Sequence, residues 1–102
     1  MRLEVLHIPD CPNTAVLTER LDQLIVARSD VVIEHRVIHD QTEAAARGMT
    51  GSPTLLVDGL DPFAVAGLAP SVSCRLYLDD HGAASGAPTV AQLRAALAGP
   101  GR

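Results

Sequence analysis

The stretch Met49-Thr50-Gly51-Ser52-Pro53-Thr54-Leu55-Leu56-Val57-Asp58-Gly59 sets a short apolar strand between two breakers. Thr54 to Val57 favours extended backbone, Gly51-Ser52-Pro53 prevents a helix from running into it, and Asp58-Gly59 closes it with a turn. Just upstream, Gly48 ends a short Ala-rich helix opened by Asp40, with Glu43 three residues on completing a capping box. Val31 to Ile38, rich in Val and Ile, reads as a strand. It places His35 and Val37 on the face of Val31 and Ile33, and Glu34 and Arg36 on the other. At the head of the chain, Leu3 to Ile8 reads as a buried strand that stops at Pro9-Asp10. Pro12 suits the first position of a helix, where its missing N–H would be unpaired anyway, so Cys11 falls at the N-cap. Leu17, Leu21, Leu24 and Arg28 step along one face at helical spacing and predict a helix to about Arg28.

Downstream of Gly59, residues 58–73 form an extended loop, long for a hairpin connection. It carries Leu60, Phe63, Val65, Leu68 and Val72, a composition expected to pack rather than to stay in water. Arg75 to Leu78 is expected as a fourth strand, antiparallel to Thr54–Val57 if the two pair directly, and Asp79 to Pro88 as a polar loop. Thr89 with Gln92 caps a last helix with Val90, Leu93 and Leu97 on its inner face, ended by Gly99-Pro100. The expected order is β-α-β-α-β-β-α in a single α/β domain over residues 1–102, its first two strands parallel because a helical crossover joins them.

Composition excludes several function classes. The 102 residues carry a net charge of -4, only 2% aromatics and no Trp, which argues against a nucleic-acid surface. The longest apolar runs, such as Leu24-Ile25-Val26-Ala27, fall far short of the roughly 20 residues of a membrane helix. All eight basic side chains are Arg; without Lys there is no Schiff base and no phosphate-loop lysine. Met1-Arg2-Leu3-Glu4-Val5 does not read as a secretory leader, so a cytoplasmic location is expected. Two cysteines, Cys11 and Cys74, are too few for a disulfide scaffold or an all-thiolate zinc site. His7, His35, His39 and His81 form no ligand motif: His35 reads as a half-buried strand residue, His39-Asp40 as a strand-to-helix turn and Asp79-Asp80-His81-Gly82 as a polar turn. No metal site and no cofactor are expected.

The cysteine at the first helix, the element order and Gly51-Ser52-Pro53-Thr54 leading into the third strand together resemble the thioredoxin superfamily over nearly the whole chain. The resemblance implies a three-layer sandwich around a mixed four-stranded sheet. It also implies a cis Pro53 facing Cys11, and a Ser52 backbone free to pair with an extended thiol-bearing peptide. Gly86-Ala87-Pro88 resembles the family's substrate-side loop. The chain departs from the family's Cys-x-x-Cys at Thr14, so a disulfide within that motif is impossible. What remains resembles monothiol and redox-inactive members.

Independently of any family, a helix N-terminus offers free N–H groups and the positive end of the dipole. With Pro12 lacking an N–H, the donors nearest the Cys11 sulfur are the amides of Asn13 and Thr14 and the Thr14 hydroxyl, which favour the thiolate. Asp10 opposes it; His7, as an imidazolium, would assist it. Cys74, at the start of the fourth strand, is expected about 13 Å away, at roughly 3.3 Å per strand residue, as a buried small hydrophobe.

Three functions follow as expectations. The first is a monothiol thiol–disulfide oxidoreductase or redox partner acting through Cys11. Ser52, Pro53 and Thr14 would line its substrate, with Asn13, His7 and Asp10 in support. A thiol-bearing protein or a low-molecular-weight thiol would be its partner. The second is a non-catalytic binding module, with the apolar 58–73 loop as the surface for a second copy of the chain. The third is soft-metal handling through Cys11 and Cys74 with Asp10 as the acid. Small thioredoxin-like proteins with a Cys-Pro-Asn start and a Ser-Cys-Arg-Leu-Tyr strand (here Ser73 to Tyr77) are often described as alkylmercury lyases.

Overall fold

The computed structural model describes residues 1–98; the predicted helix stop at Gly99-Pro100 lies outside them. The elements in chain order are β1 (Arg2–His7), α1 (Pro12–Ile25), β2 (Val32–Val37), α2 (Gln41–Arg47), β3 (Thr50–Ser52), β4 (Thr54–Val57), β5 (Ser71–Cys74), β6 (Tyr77–Leu78), β7 (Ala84–Ser85) and α3 (Val90–Ala98). Among the described residues the fold is mixed α/β, with three helices and a mixed main sheet of three strands in the order β2-β1-β4. β1 lies in the middle, and Leu3, Val5 and Leu6 on it are fully buried. It runs parallel to β2, as a helical crossover requires, with Val5 opposite His35. It runs antiparallel to β4, with Val5 opposite Leu55.

The two faces of this sheet cover separate cores. Leu3, Val5, Leu55 and Val57 pack with Leu17 and Leu21 of α1 and with Leu93 and Leu97 of α3. Leu6 and Leu56 pack on the opposite side with Ile38, Ala44 of α2 and Met49. This alternation is the period-2 rule at work, and each buried leucine contributes about 1.5–3 kcal/mol. Asp40 caps α2 by accepting from the Glu43 N–H at 2.8 Å, and Gly48 at φ 85 ends it, donating to the Ala44 carbonyl at 2.9 Å.

Four expectations are corrected. The first helix stops at Ile25, not Arg28, because the Arg28 N–H bonds to the Ile25 carbonyl in a tighter turn and Val26 points into water. His35 is exposed rather than half-buried, because β2 is an edge of the sheet and presents most of both faces to solvent. Residues 79–88 are not all loop: Ala84–Ser85 pairs with Tyr77–Leu78 in a small hairpin, whose turn is held by the Asp79 carboxylate accepting from the N–H groups of His81 and Ala83.

The main sheet has three strands, not four. Arg75 to Leu78 is not one strand beside β4. Ser71–Cys74 pairs instead with β3, in parallel, and Arg75 turns inward. The reason is the charge. A buried guanidinium needs several acceptors, and Arg75, only 4% exposed, finds the Asp61 carboxylate at 2.7 Å, the Phe63 carbonyl at 2.7 Å and Thr54 Oγ1 at 3.3 Å. Those contacts lie across residues 54–63, so the chain bends there. The 58–73 segment is half-packed: Phe63 rests on the core and Asp61 on Arg75, whereas Leu60, Val65 and Leu68 are exposed.

Candidate functional site

Cys11 caps α1 with extended backbone, φ -78 and ψ 114, and its side chain makes no capping bond, so the sulfur is left for other contacts. It is a free thiol, half-buried. Burial alone pushes its pKa up. The Ser52 hydroxyl, the Thr14 hydroxyl and the backbone N–H groups of Asn13 and Thr14 pull it down further than burial raises it, and the net result lies below the ordinary thiol value. The Thr14 Oγ1 is buried and makes no close hydrogen bond; a thiolate at Cys11 is the acceptor it favours. Asp10 and His7 are not among the groups acting on the sulfur. Asp10 is exposed, with φ 59, in the turn before the helix. His7 turns toward the sheet edge, its Nδ1 3.1 Å from the Ile8 carbonyl and its ring edge-on to His35 at 6.1 Å.

Ser52 is fully buried, and its Oγ accepts from the Ile8 N–H at 3.0 Å. With that bond orienting its oxygen, the hydroxyl proton is free to point at Cys11. The Ser52–Pro53 peptide is cis. The Pro53 carbonyl accepts from Tyr77 Oη at 2.5 Å, and the Tyr77 phenol, its pKa pushed up by burial, stays a donor. The Tyr77 ring is gripped by Phe63 edge-on at 5.6 Å and by the Arg75 guanidinium 4.6 Å over its face. Ser52 and Thr14 act on the Cys11 thiol, Pro53 follows Ser52 across the cis bond, and the Pro53 carbonyl is anchored by an Arg–Tyr–Phe–Asp cluster that sequence reasoning missed. The available signal was Arg75 and Tyr77 alternating with Leu76, but its meaning depends on Asp61, 14 residues upstream.

The Asn13 side chain acts by packing. Gly86, before α3, comes so close that a Cβ there would overlap the Asn13 side-chain amide. The 86–88 turn therefore sits against the first turn of α1, and Arg20 Nη1 fixes it by donating to the Pro88 carbonyl at 2.7 Å. Gly86 belongs among the positioning residues, and a lone glycine in a Gly-rich loop carries no sequence signal of that kind.

Two expectations about the surroundings are overturned. The Ser52 backbone is not free for an outside peptide: Ser52 pairs with β5 and its carbonyl accepts from the Arg75 N–H at 3.1 Å. And Cys74 is not at the far end of the sheet, nor buried. It is exposed and directly opposite Ser52 in the β3–β5 ladder. The expected separation assumed an antiparallel strand. The long connection from Pro53 to Pro70 instead works as a crossover and returns the chain parallel to β3, which brings Cys74 to the Ser52 end.

Among the described residues, no group of three or more His, Cys, Asp and Glu gathers where it could hold a metal ion. A cleft of about 440 Å³ lies at the other end of the main sheet, lined by Met1, Val57, Leu60, Pro62 and Ala95 among others, and holds none of the site residues. No helix among the described residues is long and apolar enough to cross a membrane. No family model, no curated protein and no solved structure matches the chain.

Proposed function

We propose that the chain is a monothiol, thioredoxin-like thiol–disulfide oxidoreductase, or the redox partner of one, working through Cys11. The observation that carries this reading is a half-buried free thiol at the start of α1, whose pKa lies below the ordinary thiol value because Ser52, Thr14 and the amides of Asn13 and Thr14 outweigh burial. A thiolate held this way attacks a disulfide, forms a mixed disulfide and expels the other half as a thiol. The layout supports a thioredoxin-like assignment: a central β1 parallel to β2 and antiparallel to β4, α1 and α3 on one face, α2 on the other, and Pro53 leading into β4. The chemistry suits the reducing interior of a cell, where a lone thiolate is kept free.

Alkylation with iodoacetamide across pH, followed by peptide mass spectrometry, tests it. Cys11 should titrate below the same cysteine in denaturant, and should form a mixed disulfide with oxidised glutathione. A profile unchanged by unfolding, with no adduct, overturns the reading.

A second reading, soft-metal handling through both thiols, is favoured by the single fact that Cys74 lies opposite Ser52. It requires a two-coordinate mercury site that disappears in Cys11→Ser and in Cys74→Ser alike.

A further inference from the structure

We infer that Cys74 is the resolving thiol for Cys11, taking the part that the residue at position 14 cannot take. This deepens the redox reading of Cys11 and rests on it. The geometry runs through Ser52. Directly paired residues on neighbouring strands lie about 4.8 Å apart and project to the same face of the sheet. Cys74 is paired with Ser52, so its side chain and that of Ser52 share a face. Ser52 Oγ in turn accepts from the N–H of Ile8, three residues before Cys11, at 3.0 Å, and its hydroxyl is among the groups that favour the Cys11 thiolate. Both cysteines of the chain therefore lie near one serine, Cys11 half-buried and Cys74 exposed.

The same ladder explains why a thiol is wanted there. An extended partner peptide would use the Ser52 backbone, yet Arg75 N–H already occupies the Ser52 carbonyl. β5 therefore occupies the Ser52 backbone itself and sets Cys74 opposite it. The register between β3 and β5 shifts between Thr50 and Ser52, so the ladder is irregular just before the Ser52–Cys74 pair. A disulfide needs the two Cα atoms within about 4.4–6.8 Å, a range that β5 and the turn at Asp10-Cys11 reach when the bond closes.

The reaction balances as two exchanges. The Cys11 thiolate attacks one sulfur of a low-molecular-weight or protein disulfide; one half leaves as a thiolate and takes up a proton, and the other half stays bonded to Cys11. Cys74, having lost its proton to solvent, attacks the Cys11 sulfur, the bond to the bound half breaks, and that half leaves as the second thiol. The substrate disulfide is reduced by two electrons and the protein is oxidised to a Cys11–Cys74 disulfide.

The test uses the full chain with oxidised glutathione as the probe, sampled over time by intact-mass and peptide mass spectrometry. Circular dichroism checks that Cys74→Ser and Cys11→Ser are folded. The wild type should end as the intramolecular disulfide, with a glutathione adduct on Cys11 that decays at least about tenfold faster than in Cys74→Ser, since the resolving thiol is already held in place. Cys74→Ser should accumulate that adduct, and Cys11→Ser should form no intramolecular bond. If the wild type keeps the adduct on Cys11 as long as Cys74→Ser does, or ends as two chains linked through Cys74, the resolving role is wrong and the monothiol function stands. If Cys11 takes no glutathione in either protein, both fall.

Discussion

Ser52 connects two requirements in one side chain. Its oxygen satisfies the Ile8 N–H at 3.0 Å, and its hydroxyl is among the groups that lower the Cys11 pKa. Ser52→Ala removes both. The Ile8 amide is left part-buried without its acceptor, which costs about 1–3 kcal/mol of stability, measurable as a lower denaturation midpoint. The thiolate loses a donor, so burial gains ground and the alkylation profile of Cys11 moves to higher pH; a profile that stays in place would remove Ser52 from the site. The position of Cys11 at a helix start was legible from Pro12, and its amide donors followed from that. The Ser52 hydroxyl was not, because it lies far along the chain from the sulfur and only the sheet joins them.

At the scale of elements, the β3–β5 contact decides where Cys74 goes. It is closer than side chains normally permit: Gly51, at φ 127, lets the Arg75 Cβ approach to the point where any Cβ on residue 51 would sit 2.7 Å from it and 3.1 Å from the Arg75 Cα. Both the positive φ and the missing Cβ are needed. Gly51→Ala should therefore cost about 2 kcal/mol or more, and should loosen β5, so that Cys74 loses its register with Ser52. The readout is a lowered unfolding midpoint together with slower closure of any Cys11–Cys74 disulfide. Strand and helix identities were mostly legible locally, from capping boxes at Asp40 and Thr89 and from the apolar periodicity of α1. The partner of the Ser71–Cys74 segment was not, because a strand's sequence specifies its faces but not which neighbour completes its hydrogen bonds.

For the molecule as a whole, one ion pair ties the long 58–73 excursion to the site. Arg75 and Asp61 meet at 2.7 Å with side chains 4% and 13% exposed. Asp61→Ala leaves a guanidinium in the interior with its charge unopposed and should destabilise by about 3–5 kcal/mol. The double replacement Asp61→Leu with Arg75→Met should recover most of that loss, because the burial of the charge, not the contact itself, carries the cost. Equal damage from the single and double replacements, in denaturant unfolding, would show that the pair matters for its shape rather than its charge. The exposed apolar residues of this region, Leu60, Val65 and Leu68, remain outside the pair's reach.

Local chemistry settled what was decidable within a few residues: a proline-led helix with a cysteine at its cap, a strand locked between Pro53 and Gly59, an α/β order with a parallel first pair, and the want of a second cysteine at position 14. Each depends on backbone sterics or on capping bonds spanning three or four residues. Tertiary structure alone decided that Arg75 is buried, that Ser71–Cys74 joins β3 instead of β4, and that the second thiol arrives beside Ser52. Those outcomes follow from finding acceptors for one charged side chain across the fold, a condition that acts at a distance in sequence and leaves no local pattern to read.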